Sequence, residues 1–151
     1  MFKVHFEEII NFAMDREREA VEFYKDLQTK VKFKTQKDML LELQHMEEGH
    51  ITVLKNLLNK EYETIQLKDE IQDLKISDYL VEKEPSNNMD YQDILIVAMK
   101  REEKSTKLYK DLASQVDDEQ TKKIFLRLSQ EEAGHKLKFE KLYDEEILKE
   151  N

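Results

Sequence analysis

The chain has 151 residues, enough for one domain with a buried core, and its two Gly and one Pro are too few breakers for the turns of an all-β fold. Its formal net charge of -9 gains nothing from counterion release on a phosphate backbone, which argues against nucleic acid as a partner. Cysteine is absent, which removes disulfides, thiolate metal sites and iron–sulfur clusters together.

The N-terminal residues Met1-Phe2-Lys3-Val4-His5 lack the charged-then-apolar layout of a signal peptide, so a cytoplasmic protein is expected. No apolar run approaches the ~20 residues that span a bilayer, so no membrane partner is expected. The first predicted helix runs from about His5 to Val31. Its apolar stripe reads Ile10, Ala13, Glu17, Val21, Tyr24, Leu27 and Val31, a core face with one carboxylate in the middle. The second helix starts near Thr35, where Thr35-Gln36-Lys37-Asp38 resembles a capping pattern, and runs to about Lys60. On it His50 shares a stripe with Leu43, Met46, Leu54 and Leu57, and Glu47, three residues earlier, points to the same side.

About 28 residues, Glu61 to Asn88, then separate two halves of the chain. That is long for a compact domain and suggests a crossover. Ile71 to Val81 carries enough apolar residues for a short extra helix, and Pro85-Ser86-Asn87-Asn88 breaks the chain after it. The third long helix starts near Asp90, with Asp93 three residues on, and reaches about Val116. Its stripe reads Leu95, Ala98, Glu102, Thr106, Tyr109, Leu112 and Val116. The fourth follows Asp117-Asp118 and runs to about Lys149, with His135 on a stripe with Leu128, Phe139 and Leu142, and Glu132 three residues before it. Both inter-helix turns are short, so each helix pair is expected to be an antiparallel hairpin.

The two halves repeat. A shift of 85 residues, without gaps, aligns Ala13-Met14-Asp15-Arg16-Glu17 with Ala98-Met99-Lys100-Arg101-Glu102, Tyr24-Lys25-Asp26-Leu27 with Tyr109-Lys110-Asp111-Leu112, and Glu47-Glu48-Gly49-His50 with Glu132-Ala133-Gly134-His135. From Ile9/Ile94 to Leu57/Leu142, 17 of 49 positions are identical. Composition alone gives something on the order of one in fourteen.

Four carboxylates on apolar stripes are costly, several kcal/mol for each buried ion left uncompensated. No Lys or Arg recurs on these stripes, whereas two divalent cations would balance the four charges. Oxygen donors with one imidazole per ion suit Fe or Mn, with Zn possible. The candidate ligands are therefore Glu17, Glu47, His50, Glu102, Glu132 and His135. Gly49 and Gly134, the only glycines, sit mid-helix directly before the two histidines. Since a mid-helix glycine costs about 0.5–1 kcal/mol, close approach of a neighbouring backbone is expected there. Tyr24 and Tyr109 lie two turns beyond Glu17 and Glu102 and are candidates to hydrogen-bond the ligand carboxylates. Glu48, Glu103 and Glu131 are read as solvated acids, and His5 and His45, which lack repeat partners, as incidental.

One Glu from each of two helices and one Glu-x-x-His from each of the other two is the ligand pattern of di-iron carboxylate bundles. At Arg16-Glu17-Arg18-Glu19-Ala20-Val21-Glu22-Phe23-Tyr24, Glu47-Glu48-Gly49-His50, Arg101-Glu102-Glu103 through Tyr109, and Glu132-Ala133-Gly134-His135 the sequence resembles the rubrerythrin-like branch of the ferritin-like superfamily. The resemblance implies an all-α, ferritin-like four-helix bundle, two helical hairpins joined by a long crossover, forming one domain over residues 1–151. It implies two iron ions bridged by Glu47 and Glu132, with Glu17 and Glu102 as terminal ligands and His50 and His135 each capping one ion. Full-length rubrerythrins carry a Cys-rich rubredoxin domain that supplies electrons. This chain has no cysteine, so an external electron donor such as a rubredoxin is expected. Rubrerythrins also have a further Glu one turn after the third-helix ligand, where this sequence has Ser105.

The leading functional reading is a redox enzyme that reduces peroxide or dioxygen. The alternatives are a ferritin-type ferroxidase or iron-handling protein, and a non-enzymatic helical interaction module. A homodimer is expected because such bundles often pair.

Overall fold

A computed structural model describes residues 3–61, 70–72, 76–80 and 90–150. The fold class is all-α as expected. Four long helices, α1 (Phe6–Gln28), α2 (Lys34–Glu61), α3 (Tyr91–Gln115) and α4 (Glu119–Glu150), dominate. The chain divides into two compact units, residues 1–74 and 75–151, each holding one hairpin.

In the first unit α1 packs against α2. The stripe predicted for α1 is buried throughout: Ile10, Ala13, Glu17, Val21, Tyr24, Leu27 and Val31. Leu40, Leu43, Leu54 and Leu57 are the fully buried leucines of α2. The first helix is three residues shorter at its C-terminus than its stripe suggested. Its end tightens into i→i+3 bonds, with Thr29 N–H donating to Asp26 C=O and Lys30 N–H to Leu27 C=O, both at 3.0 Å. Val31 stays in the core although the helix has ended.

The cap of α2 also differs from the expectation at Thr35. Gln36 and Lys37 N–H groups both donate to Phe33 C=O, and the Gln36 side chain reaches back to accept from Phe33 N–H at 3.4 Å. Phe33 therefore occupies the cap position, and Gln36 supplies the returning half of a capping box. Thr35 lies inside the first turn.

Ahead of α1, Lys3–His5 forms a short strand, β1, antiparallel to β2 (Glu70–Gln72), with Lys3 opposite Gln72, Val4 opposite Ile71 and His5 opposite Glu70. This ribbon takes the place of the helical turn expected at His5. It also replaces the start of the extra helix expected over Ile71–Val81. Within that stretch the described residues further show only one 3-10 turn, Ile76–Tyr79. The backbone groups of a three-residue strand are satisfied by pairing with the chain terminus, which a short isolated helix could not match. The Pro85–Asn88 breaker and most of the expected crossover lie outside the described residues.

In the second unit α3 packs against α4. Its core is Leu95, Ala98, Leu112, Phe125, Leu128 and Phe139. Tyr109 stacks on Phe125 at 6.4 Å between centroids. Asp90 caps α3 as expected, its side chain accepting from Asp93 N–H at 2.8 Å. Asp118 caps α4, accepting from both the N–H (2.9 Å) and the hydroxyl (2.8 Å) of Thr121. The 3-10 turn is fastened to α3 by Tyr79, which donates to Asp111 Oδ2 at 2.8 Å while Lys107 lies 5.0 Å above its ring. Burial and then the Asp111 carboxylate push the Tyr79 hydroxyl well above its ordinary pKa.

Candidate metal sites

Helical periodicity brings three ligand groups together in each hairpin. In the first, Glu17 on α1 meets Glu47 and His50 on α2. His50 Nδ1 lies 3.5 Å from Glu17 Oε2 and 3.6 Å from Glu47 Oε1. In the second, His135 Nδ1 lies 3.6 Å from Glu102 Oε2 and 3.3 Å from Glu132 Oε1. Glu17, Glu47, His50, Glu102, Glu132 and His135 are all within 3% of complete burial. Within each triad every residue offers one ligand atom, and these atoms lie within 4.8 Å of one another.

The spacing fits a cation. Two donors each ~2.1 Å from one ion, at an angle between octahedral and tetrahedral, are ~3.0–3.4 Å apart. The separations of 3.3–3.6 Å run from the upper end of that span to about 0.2 Å beyond it. A good N–H···O bond is shorter, ~2.7–3.2 Å. Each triad offers two carboxylates and one neutral imidazole, hard oxygen with borderline nitrogen, the donor set of Fe, Mn or Zn. In both histidines Nδ1 faces the two carboxylates of its triad.

Polar ties hold each hairpin beside its triad. In the first unit Gln28 Nε2 on α1 donates to Gln44 Oε1 on α2 at 2.8 Å and to Tyr24 C=O at 3.1 Å. In the second, Ser129 Oγ on α4 donates to Thr106 C=O on α3 at 2.9 Å, and Thr106 Oγ1 donates to Glu102 C=O at 2.7 Å. Gln44 and Ser129 are both buried and occupy equivalent positions in the repeat, three residues before Glu47 and Glu132. Sequence reasoning passed over both. Their signal was a polar residue recurring at one place on an otherwise apolar stripe.

Tyr24 and Tyr109 are buried to the same extent in their own hairpins. Of the neighbouring acids, Glu48 and Glu103 are exposed as expected, and Glu131 is half-buried with Arg127 Nε 3.5 Å away. Glu103 is bridged by Lys136 at 3.1 Å, and this bond raises the lysine's pKa. His45 is exposed. The expectation for the two glycines fails. Among the described residues, a Cβ built on Gly49 or Gly134 meets nothing within 4 Å, so no described backbone approaches either position. Both lie on the side of their helix turned away from the ligands, where the chain itself leaves room for a side chain.

Comparison with known proteins bears on the family and the fold. The Rubrerythrin family model matches residues 93–151, the second hairpin. A solved structure, a hypothetical protein from Pyrococcus furiosus, is similar over 91% of this chain and 87% of its own, at 27% identity and a TM-score of 0.72. No curated protein matches. A family match on one hairpin, a fold match over nearly the whole chain and a Glu–Glu–His triad in each half support a rubrerythrin-like protein with an all-α, ferritin-like fold.

Proposed function

We propose that the two triads together hold two iron ions and that the protein is a redox enzyme reducing peroxide or dioxygen with electrons from an external donor, such as a rubredoxin. The observation that carries this reading is the pair of buried Glu–Glu–His triads, each with its donor atoms spaced for one cation. The Rubrerythrin match over the second hairpin supports iron as the ion.

Two ferrous ions, when bound, would supply one electron each, and with two protons from solvent these are what peroxide needs to become two waters. The chain's own residues set the conditions. Glu17, Glu47, Glu102 and Glu132, each buried, would balance two divalent cations. The imidazoles of His50 and His135 complete each donor set. Apolar neighbours such as Leu43, Leu54, Leu128 and Phe139 keep bulk water away, which strengthens every electrostatic interaction inside. Tyr24 and Tyr109 are proposed to hold ligand carboxylates through their hydroxyls.

Anaerobic Fe(II) loading followed by elemental analysis, then stopped-flow oxidation with peroxide, tests the reading. About two irons per chain are expected, as di-iron carboxylate bundles hold. The reduced protein should consume peroxide faster than free Fe(II), and a chemical reductant plus rubredoxin should sustain turnover. Glu47→Ala or His135→Ala should sharply lower iron content. Peroxide consumption no faster than that of free iron would remove the enzymatic reading. Many irons per chain in a large assembly would favour iron storage instead.

A further inference from the structure

We propose that the closed end of the first hairpin, residues 29–37, docks on the surface of an anionic lipid bilayer. The run Lys30-Val31-Lys32-Phe33-Lys34-Thr35-Gln36-Lys37 holds four lysines and no acid, in a chain whose net charge is -9. All four lysines are exposed. Among them Phe33 is 58% exposed. Two of the lysines pair with acids four residues away, Lys30 with Asp26 at 3.0 Å and Lys34 with Asp38 at 2.8 Å. Exposed pairs of this kind hold weakly, so both ammonium groups are free to turn to another anion.

This end is built against the local rules of helix stability, and the 85-residue repeat shows it. The second hairpin has Asp117, Asp118 and Glu119 where the first has Lys32, Phe33 and Lys34. Asp118 caps α4 through two bonds to Thr121. Phe33 stands at the same cap position of α2 with no side-chain oxygen to offer. The first turn of α2 holds no acid, and Lys34 and Lys37 bring positive charge to the positive end of the helix dipole. Val31 and its counterpart Val116 are both buried, so the two ends share their core residue and differ in what they expose. Exposed residues that cost a helix stability point to a contact beyond the chain.

The chemistry selects the occupant. Lysines pair with lipid phosphates while their carbon stems lie along the apolar boundary, and an aromatic ring among them enters the interface. No span is needed for such a contact. Among the described residues no helix is long and apolar enough to cross a membrane. A folded acidic protein fits less well. A stable protein interface takes ~20–30 residues a side around a desolvated centre. This end offers nine residues, with Phe33 its one exposed large apolar side chain. The acidic remainder of the chain is repelled by the same lipid surface, which turns this end towards it.

Co-sedimentation with vesicles tests the proposal. The wild type should bind vesicles of phosphatidylcholine mixed with phosphatidylglycerol and ignore those of phosphatidylcholine alone. Raising the salt should release it. Lys32→Gln combined with Lys37→Gln should lower the partition coefficient at least about tenfold, the effect of two lysines near an anionic surface. Phe33→Ser removes the ring, supplies a cap and leaves the charge unchanged, and it should lower partitioning about fivefold. Lys122→Gln combined with Lys123→Gln makes the same charge change in the second hairpin and should bind as the wild type does. Circular dichroism of each variant, expected to match the wild type, separates lost docking from lost folding. Metal-free and iron-loaded protein should bind alike, so that failure of this surface is distinct from failure of the metal reading. A wild type that ignores phosphatidylglycerol, equal binding to phosphatidylcholine alone, or unchanged binding by Phe33→Ser or by the Lys32 and Lys37 variant would each overturn the proposal. Retention by polyglutamate without vesicle binding would give this end to an acidic protein and overturn the lipid assignment.

Discussion

Glu132 has no exposed surface, and Glu47 only 1%. At the scale of the residue, such carboxylates are tolerable only where something offsets the loss of water around the charge. Placement within the helix decides which acids carry that burden. Glu47 shares the core face with His50, whereas Glu48, one residue on, is exposed. Gly49 illustrates the same geometry from the other side. A helix interior prefers Ala to Gly, and a Cβ at this position meets nothing within 4 Å. Gly49→Ala should therefore raise stability by about 0.5–1 kcal/mol. Urea denaturation would show this as a higher midpoint with an unchanged slope. A lower midpoint would mean that something outside the chain needs the space.

At the scale of the element, the helices stop and start where side chains satisfy their ends. Asp118 is the clearest case, because one carboxylate oxygen receives both the N–H and the hydroxyl of Thr121. The Thr121 N–H, followed by its hydroxyl, holds the Asp118 carboxyl below its ordinary pKa of 3.8. A carboxylate with a depressed folded pKa stabilises the fold above its unfolded pKa, and that contribution is lost as pH falls through the folded value. Asp118→Ala should thus lower the melting temperature at pH 7. The gap between variant and wild type should narrow progressively as the pH falls below 3.8 and through the lower folded value, where the wild-type carboxyl protonates. A gap that persists unchanged in acid would show that the charged cap is not its source. The β1–β2 ribbon works on the same principle of satisfied backbone groups. A two-stranded ribbon is marginal by itself. Here β1 runs directly into the ordered start of α1 and packs against that helix.

For the whole molecule, the central energetic feature is four buried carboxylates, which two divalent ions would balance under the proposed function. Binding to the folded state alone stabilises it by RT ln(1 + [L]/Kd), about 2.7 kcal/mol at a hundredfold excess over Kd. Differential scanning calorimetry should therefore show a higher melting temperature on anaerobic Fe(II) loading, reversed by a chelator. Glu47→Gln combined with Glu132→Gln should abolish the shift. The metal-free double variant should melt at or above the metal-free wild type, since two buried charges are gone. A metal-free double variant that melts well below the wild type would mean that these carboxylates serve the fold by another route.

The sequence by itself determined the four helices, their pairing into hairpins and the six candidate ligands. All of these follow from local periodicity: a 3.6-residue stripe shows which residues share a face, and the 85-residue repeat marks the polar positions that recur on it. Glu17 and Glu102 were legible because each interrupts an apolar stripe at the same offset. What only the tertiary structure decided depends on residues far apart in the chain. The N-terminus became a strand because Glu70–Gln72 was there to pair with it. Gln44 and Ser129 became buried ties because Gln28 and Thr106 met them across their hairpins. The glycines gave no sign of which way they faced until the neighbouring atoms were in place, since a missing side chain leaves no trace in hydrophobic periodicity. Local pattern reads what each helix offers, and only packing shows what receives it.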